Sequence, residues 1–272
     1  MRNEKRTRNI HVLMALLGFV FLIGLWYIIS AILISKENYG LPYPHDTGAT
    51  LWDLLVGKNA RGTWRAIGWT LFRAFIGWVV SFVLAGIFGI LAGIFENVKA
   101  FMKPIVAFQR TIPTVAVVLL LLSIILGSGR HGFLNWAPIV LIIFVIFPLL
   151  YESFRAGVEN IDQGIINALR VEGGERKPNA IAKVLVPEAW PYVKAGIAQT
   201  LGLALKTCIM SEVLTASSAT KSGIGTLIAT ARVVDVDGGI TKIPAYAILA
   251  LLLMVIIDMP AVIAKRKEKG KQ

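Results

Sequence analysis

One cysteine in 272 residues excludes a good deal. Cys208 has no partner for an intramolecular disulfide and no companions for a thiolate zinc cluster. It falls in an apolar run, where a small buried apolar side chain is the ordinary reading. Charge is scarce as well. Only 16% of residues are Asp, Glu, Lys or Arg, against about a quarter in a soluble domain. The three histidines, His11, His45 and His131, lie in expected loops or at the edge of an apolar run, which disfavours a histidine metal site within a membrane. The sequence has no G-x-x-x-x-G-K-[ST], no H-E-x-x-H and no G-x-S-x-G, so it offers no P-loop for ATP, no zincin site and no nucleophile elbow. No converging set of catalytic groups can be assembled from it. A non-catalytic chain with no cofactor or metal of its own is expected.

What the chain has in abundance is apolar length. Hydrophobic residues make up 56% of it, and the mean hydropathy is +0.70. The excess is collected into long runs, the mark of an all-α integral membrane protein. About six transmembrane helices are expected, near 11–34, 67–95, 104–126, 134–152, 195–215 and 243–264, making one membrane domain of 1–272. The first run, from Val12 to Ile34, is too long for a signal peptide and lacks a small-residue cleavage site, so it reads as a retained span. Gly77, Gly86, Gly89 and Gly93 step along the second span and leave room for a close helix. Residues 41–58 read as an outside turn and a short amphipathic helix. No repeat of 20–50 residues stands out.

The net charge of +12 does not point to nucleic acid, because the cations flank apolar runs and form no stripe interleaved with aromatics. They do report orientation. With the N-terminus inside, inside segments hold 17 Lys and Arg and outside segments hold 8. Arg73, Arg110 and Lys206 lie within spans and complete the 28. Both termini and the 160–190 loop are therefore expected in the cytoplasm.

Ionisable residues inside spans are costly and mark function by default. Arg110, in FQRTIPT, either lines a path or snorkels to the interface, and Pro113 beside it loosens the helix. Glu212, in CIMSEVLTA, needs a partner if buried, and Arg110, Arg73 and Lys206 are the candidates. Asp258 reads as an interfacial or structural carboxylate. Gln109, Thr111 and Ser211 extend a polar strip beside Arg110 and Glu212. These residues, with Arg73 and Pro113, are the expected lining of a substrate pathway or of an interface between two copies.

The stretch GGERKPNAIAKVLVPEAWP, residues 173–191, interrupts the apolar chain. INALRVEG before it and NAIAKVLVP within it read as two short helical pieces. Gly173 and Gly174 allow a sharp turn between them, and Pro187 is expected to stop the second piece. Gly174, nine residues, Val184, one residue, Val186 and Pro187 resemble the E-A-A…G…I-x-L-P loop of bacterial ABC-importer permease subunits. The E-A-A triplet falls on Ala168, Leu169 and Arg170, so the glutamate is missing. Two further stretches resemble the nitrate/sulfonate/taurine branch of that family. Thr70, Arg73 and Gly77 match its S-x-x-R-x-x-x-G segment, with threonine for serine. Glu212, Gly223, Ile224 and Gly225 match its glutamate and G-[LI]-G. The likeness covers roughly 10–265.

The resemblance implies the type I ABC importer fold. It implies a permease that works as a pair, most simply a homodimer, with two ATPase subunits holding ATP and Mg2+ and an extracytoplasmic solute-binding protein. Ala168, Leu169, Gly173, Gly174, Val184, Val186 and Pro187 would form the coupling contact with the ATPase. The chain would sit in the bacterial inner membrane and translocate a small solute, either like nitrate, sulfonate and taurine or like a vitamin precursor. The alternative is a secondary transporter or channel without an ATPase, which would call for an inverted repeat and an acidic relay.

Overall fold

The computed structural model describes residues 2–37, 40–58, 60–129, 131–171, 178–215, 222–234 and 239–269. Among them there are helices and turns and no β-strand. The helices are α1 (Arg2–Ser35), α2 (Pro44–Val56), α3 (Ala60–Ile94), α4 (Glu96–Thr111), α5 (Thr114–Gly127), α6 (Ala137–Glu159), α7 (Gln163–Val171), the single turn α8 (Pro178–Ala180), α9 (Val186–Thr215), α10 (Ile224–Val234) and α11 (Gly239–Lys269). A 3-10 turn, His131–Asn135, leads into α6, and a π turn, Ile181–Leu185, joins α8 to α9.

Five segments are long and apolar enough to cross a membrane: Leu13–Ser35, Ala60–Ile94, Ala137–Glu159, Ile181–Thr215 and Lys242–Met259. The sixth departs from expectation. The stretch 104–126, read as one span, is a broken pair, with α4 and α5 bent by 94°. Pro113 is the cause. It has no amide hydrogen for the carbonyl of Gln109, and it drives Ile112 out of the helical region, to φ −72° and ψ 129°. The fifth span also differs, because Pro187 does not stop the preceding piece. The helix widens instead into the π turn, where the Val186 amide reaches back five residues to the Ile181 carbonyl. A wide turn of this kind is one way a helix absorbs a disturbance in its hydrogen-bond ladder without ending.

The chain forms two units, residues 1–64 with 230–249 and residues 65–229 with 250–272. In the first, α1 holds the turn that precedes α2. Trp26 Nε1 and Ser30 Oγ both donate to the Pro42 carbonyl, at 3.0 and 3.1 Å. The Tyr27 hydroxyl lies 3.0 Å from His45 Nδ1, and the His45 ring stacks on both Tyr27 and Tyr43. In the second unit most of α6 is buried. The small residues of α3 face it as the sequence suggested. A Cβ on Gly77 would meet Ile142 Cβ at 2.8 Å, one on Gly89 would meet Phe154 Cβ at 2.7 Å, and one on Gly93 would meet Val158 Cβ at 2.6 Å. On α9, Gly196 takes Ser153 and Leu150 in the same way, while Gly157 of α6 takes Ala189. Backbones brought this close maximise dispersion, the main source of helix association in lipid.

This packing gives a first expected outcome. Gly89→Ala, which also sets a methyl 2.8 Å from the Tyr151 carbonyl, overpacks a seam that has no flexible side chain to move aside. A loss of about 1–3 kcal/mol is expected, read as a lower melting temperature of the purified chain in detergent. An unchanged melting temperature would mean that α3 and α6 have slack at this level.

Candidate functional site

The motifs of α3, α9 and the turn before α10 meet at one carboxylate. Glu212 and Arg73 are 1% and 3% exposed, and Arg73 Nη1 donates to Glu212 Oε1 at 2.7 Å. Glu212 Oε2 accepts from the Thr70 hydroxyl at 2.8 Å and from the Gly225 amide at 3.1 Å. Thr70 Oγ1 in turn accepts from the Ile224 amide at 2.9 Å. The Arg73 guanidinium also lies over the Trp69 ring, 5.8 Å from its centroid. A buried ion pair repays its desolvation only with such geometry and with its remaining lone pairs occupied.

The two glycines of the turn are spatial requirements. A Cβ on Gly223 would overlap the Glu212 carboxylate, and one on Gly225 would overlap the Ile209 carbonyl and meet Glu212 Cβ at 2.7 Å. Cys208 closes the cluster, with Sγ 3.5 Å from the Thr70 carbonyl and 3.8 Å from Glu212 Oε1. It is buried, as its apolar surroundings implied. The cluster is a hydrogen-bonded clasp, built around one ion pair, between α3, α9 and the start of α10.

Of the three cations offered as partners for Glu212, the structure therefore selects Arg73. Lys206 is exposed on α9. Arg110 is exposed on α4, in a groove whose walls are Lys99, Lys103, Val106, Ala107, Tyr151, Glu152 and Arg155, with a cavity of 290 Å3. The expected polar strip is thus divided between two places. Thr111 turns its hydroxyl back to the Ala107 carbonyl at 2.8 Å, and Pro113 sets the break between α4 and α5. Gln109 Oε1 and Ser211 Oγ are both buried without a hydrogen-bond partner among the described residues. Asp258 packs its carboxylate over Gly202 of α9.

The segment that the family resemblance assigns to coupling starts after α6. Asp162 Oδ1 accepts from the Gly164 amide at 2.7 Å, a side-chain cap that starts α7. No residue of α7 is buried: Ala168 is exposed and Leu169 half-buried. Gly173 and Gly174 lie outside the described residues. Val184 and Val186 are half-buried, Pro187 is exposed, and Leu185 between them is buried.

The sequence reading overlooked Lys99, Lys103, Glu152, Arg155 and Glu159. Arg155 binds Glu152 and Glu159, each at 2.6 Å, and Lys99 reaches Glu159 at 3.1 Å and Glu96 at 3.3 Å. The signal was present in the helical spacing of Lys99, Lys103 and Arg110, which share one face of α4. Placing Lys99 and Lys103 outside a straight span that began at 104 hid it.

The chain is similar to several ABC permeases. A probable ABC transporter permease of Brucella melitensis is 30% identical over 75% of this chain and 77% of its own length. The nitrate import permease NrtB of Leptolyngbya laminosa is 29% identical over 73% and 69%. The putative aliphatic sulfonates permease SsuC of Bacillus subtilis is 26% identical over 78% and 71%. The fold is shared with the inward-facing MetNI methionine ABC transporter, at a TM-score of 0.56 and 20% identity over 76% of this chain and 94% of that one. Residues 85–267 match the model of the binding-protein-dependent transport system inner membrane component, and the chain belongs to that family, the multi-pass permease subunits of ABC importers.

Proposed function

We propose that this permease imports a small oxyanion of the nitrate or alkyl-sulfonate class, driven by ATP bound with Mg2+ in two separate ATPase subunits. It pairs with a second copy of itself, and a solute-binding protein delivers the anion from outside. Both termini and the 160–190 segment face the cytoplasm of the bacterial cell, in line with the positive charge on those segments. The nitrate and sulfonate relatives support the substrate class.

The observation that carries the reading is helical continuity. From Pro178 the chain runs through the π turn to Thr215 without a break. Leu185 and Glu212 thus lie on one rod, about 40 Å apart at 1.5 Å per residue. A push on the coupling segment displaces the helix that the Glu212 clasp ties to α3. ATP and loaded binding protein then shift an inward–outward equilibrium by their unequal affinity for its two states.

The test is purification of the tagged chain from its native membrane, followed by reconstitution into vesicles with its binding protein. A P-loop ATPase should co-elute, and nitrate or an alkanesulfonate should accumulate only with ATP. Accumulation on an ion gradient, with no ATPase present, would instead establish a secondary transporter.

A further inference from the structure

We propose that the groove between α4 and α6 binds the phosphate of an anionic phospholipid headgroup. Three observations converge on it.

The first is the pattern of α4. Lys99, Lys103 and Arg110 share one face. Phe101, Ile105 and Phe108, 68%, 38% and 64% exposed, form a strip on the opposite face, and Met102 and Val106 between the two are buried. Basic residues on one side and exposed aromatics on the other describe a helix at a membrane surface, its apolar strip among acyl chains and its cations among headgroups. The 94° bend at Pro113 frees α4 from the direction of α5.

The second is depth. Arg155 and Tyr151 of the groove lie four and eight residues before Glu159, the last residue of the α6 span. At 1.5 Å per residue they sit about 6 and 12 Å from its end, a range that brackets the boundary between headgroups and hydrocarbon.

The third is charge. Lys99 is engaged by Glu96 and Glu159, and Arg155 by Glu152 and Glu159. Lys103 and Arg110 make no hydrogen bond or ion pair among the described residues. Four cations face three carboxylates, leaving one positive charge beside a 290 Å3 cavity. A phosphodiester carries one negative charge and brings the group to neutrality. Basic pockets between helices at a membrane surface suit such headgroups.

The inference rests on the membrane-spanning fold and not on the imported substrate. Native mass spectrometry of the full chain in detergent tests it, with phosphatidylglycerol and phosphatidylcholine of matched acyl chains as probes. One phosphatidylglycerol should be retained per chain in preference to phosphatidylcholine. Lys103→Gln/Arg110→Gln should weaken that retention about thirtyfold, the loss expected for two cations near an anionic surface. Ala107→Glu, which keeps both cations but sets a carboxylate four residues from Lys103 and three from Arg110, where it pairs with them in place of the phosphate, should do the same. Equal retention of the two lipids, or retention unchanged in both variants, would overturn the proposal. So would displacement of the lipid by millimolar inorganic phosphate or methanesulfonate, which would assign the groove to a free anion.

Discussion

Glu212→Ala is expected to cost about 3–5 kcal/mol of stability, because it leaves the Arg73 guanidinium charged and uncompensated where almost no water reaches it. That is a large share of the roughly 5–15 kcal/mol that holds a domain together. The same change removes the acceptor for the Thr70 hydroxyl and the Gly225 amide, so three donors lose their partner together. The double variant Arg73→Met/Glu212→Ala should be more stable than Glu212→Ala, since no buried charge remains. It should still fall short of the wild type, because two neutral donors are left unmade at about 1–3 kcal/mol each. Thermal melting of the wild type, Arg73→Met, Glu212→Ala and the double variant in one detergent closes the cycle. Equal melting temperatures for the two Glu212→Ala proteins would show that the ion pair is not the origin of the effect. Glu212→Gln should lie between these limits, since an amide keeps the shape and one acceptor oxygen but lacks the charge that balances Arg73.

Deletion of residues 174–178 should abolish ATP-driven uptake while the chain still inserts, because no span residue is removed and the stretch of sequence that carries the family's signature glycine is lost. The ATPase should no longer co-purify. Four glycines inserted between Leu185 and Val186 should separate docking from transmission. The docking surface stays whole in that variant, so the ATPase still binds and hydrolyses ATP. The flexible link absorbs the displacement before it reaches α9, and uptake falls to the level of vesicles without ATP. Both variants are read by ATPase recovery, ATP hydrolysis and substrate accumulation in vesicles. Wild-type uptake in the glycine variant would refute the continuous rod as the path of force. Wild-type uptake in the deletion would place the ATPase contact elsewhere.

Much of the site was legible in linear order because its parts are short and tightly constrained. Thr70, Arg73 and Gly77 recur at helical spacing, and Gly223 and Gly225 bracket Ile224. A carboxylate that must enter a buried turn leaves room for nothing larger than glycine, so the sequence records the requirement directly. The choice of Arg73 over Arg110 and Lys206 was not legible. All three are cations in or near apolar runs, and only the rotation of each helix decides which one points at Glu212. The break at Pro113 was visible as a loosening, but its angle was not, because a proline removes one hydrogen bond without fixing where the chain goes next. Pro187 shows the same limit from the other side. The sequence suggested a stop, and packing of Leu185, Ala189 and Val193 into the interior held the helix together through a wider turn.

The sequence by itself determined that this is a helical multi-pass membrane protein. Hydropathy, charge placement and glycine spacing are properties of neighbouring residues, and a bilayer permits few ways to satisfy them. Tertiary structure decided which charges cancel. It joined Glu212 to Arg73 across 139 residues, turned α4 into a basic surface beside α6, and ran the helix from Pro178 through the π turn to Thr215. Those outcomes depend on helix rotation and on contacts between residues far apart in the chain, where a change of one residue in register moves a side chain by 100°. Local pattern carries no record of that rotation.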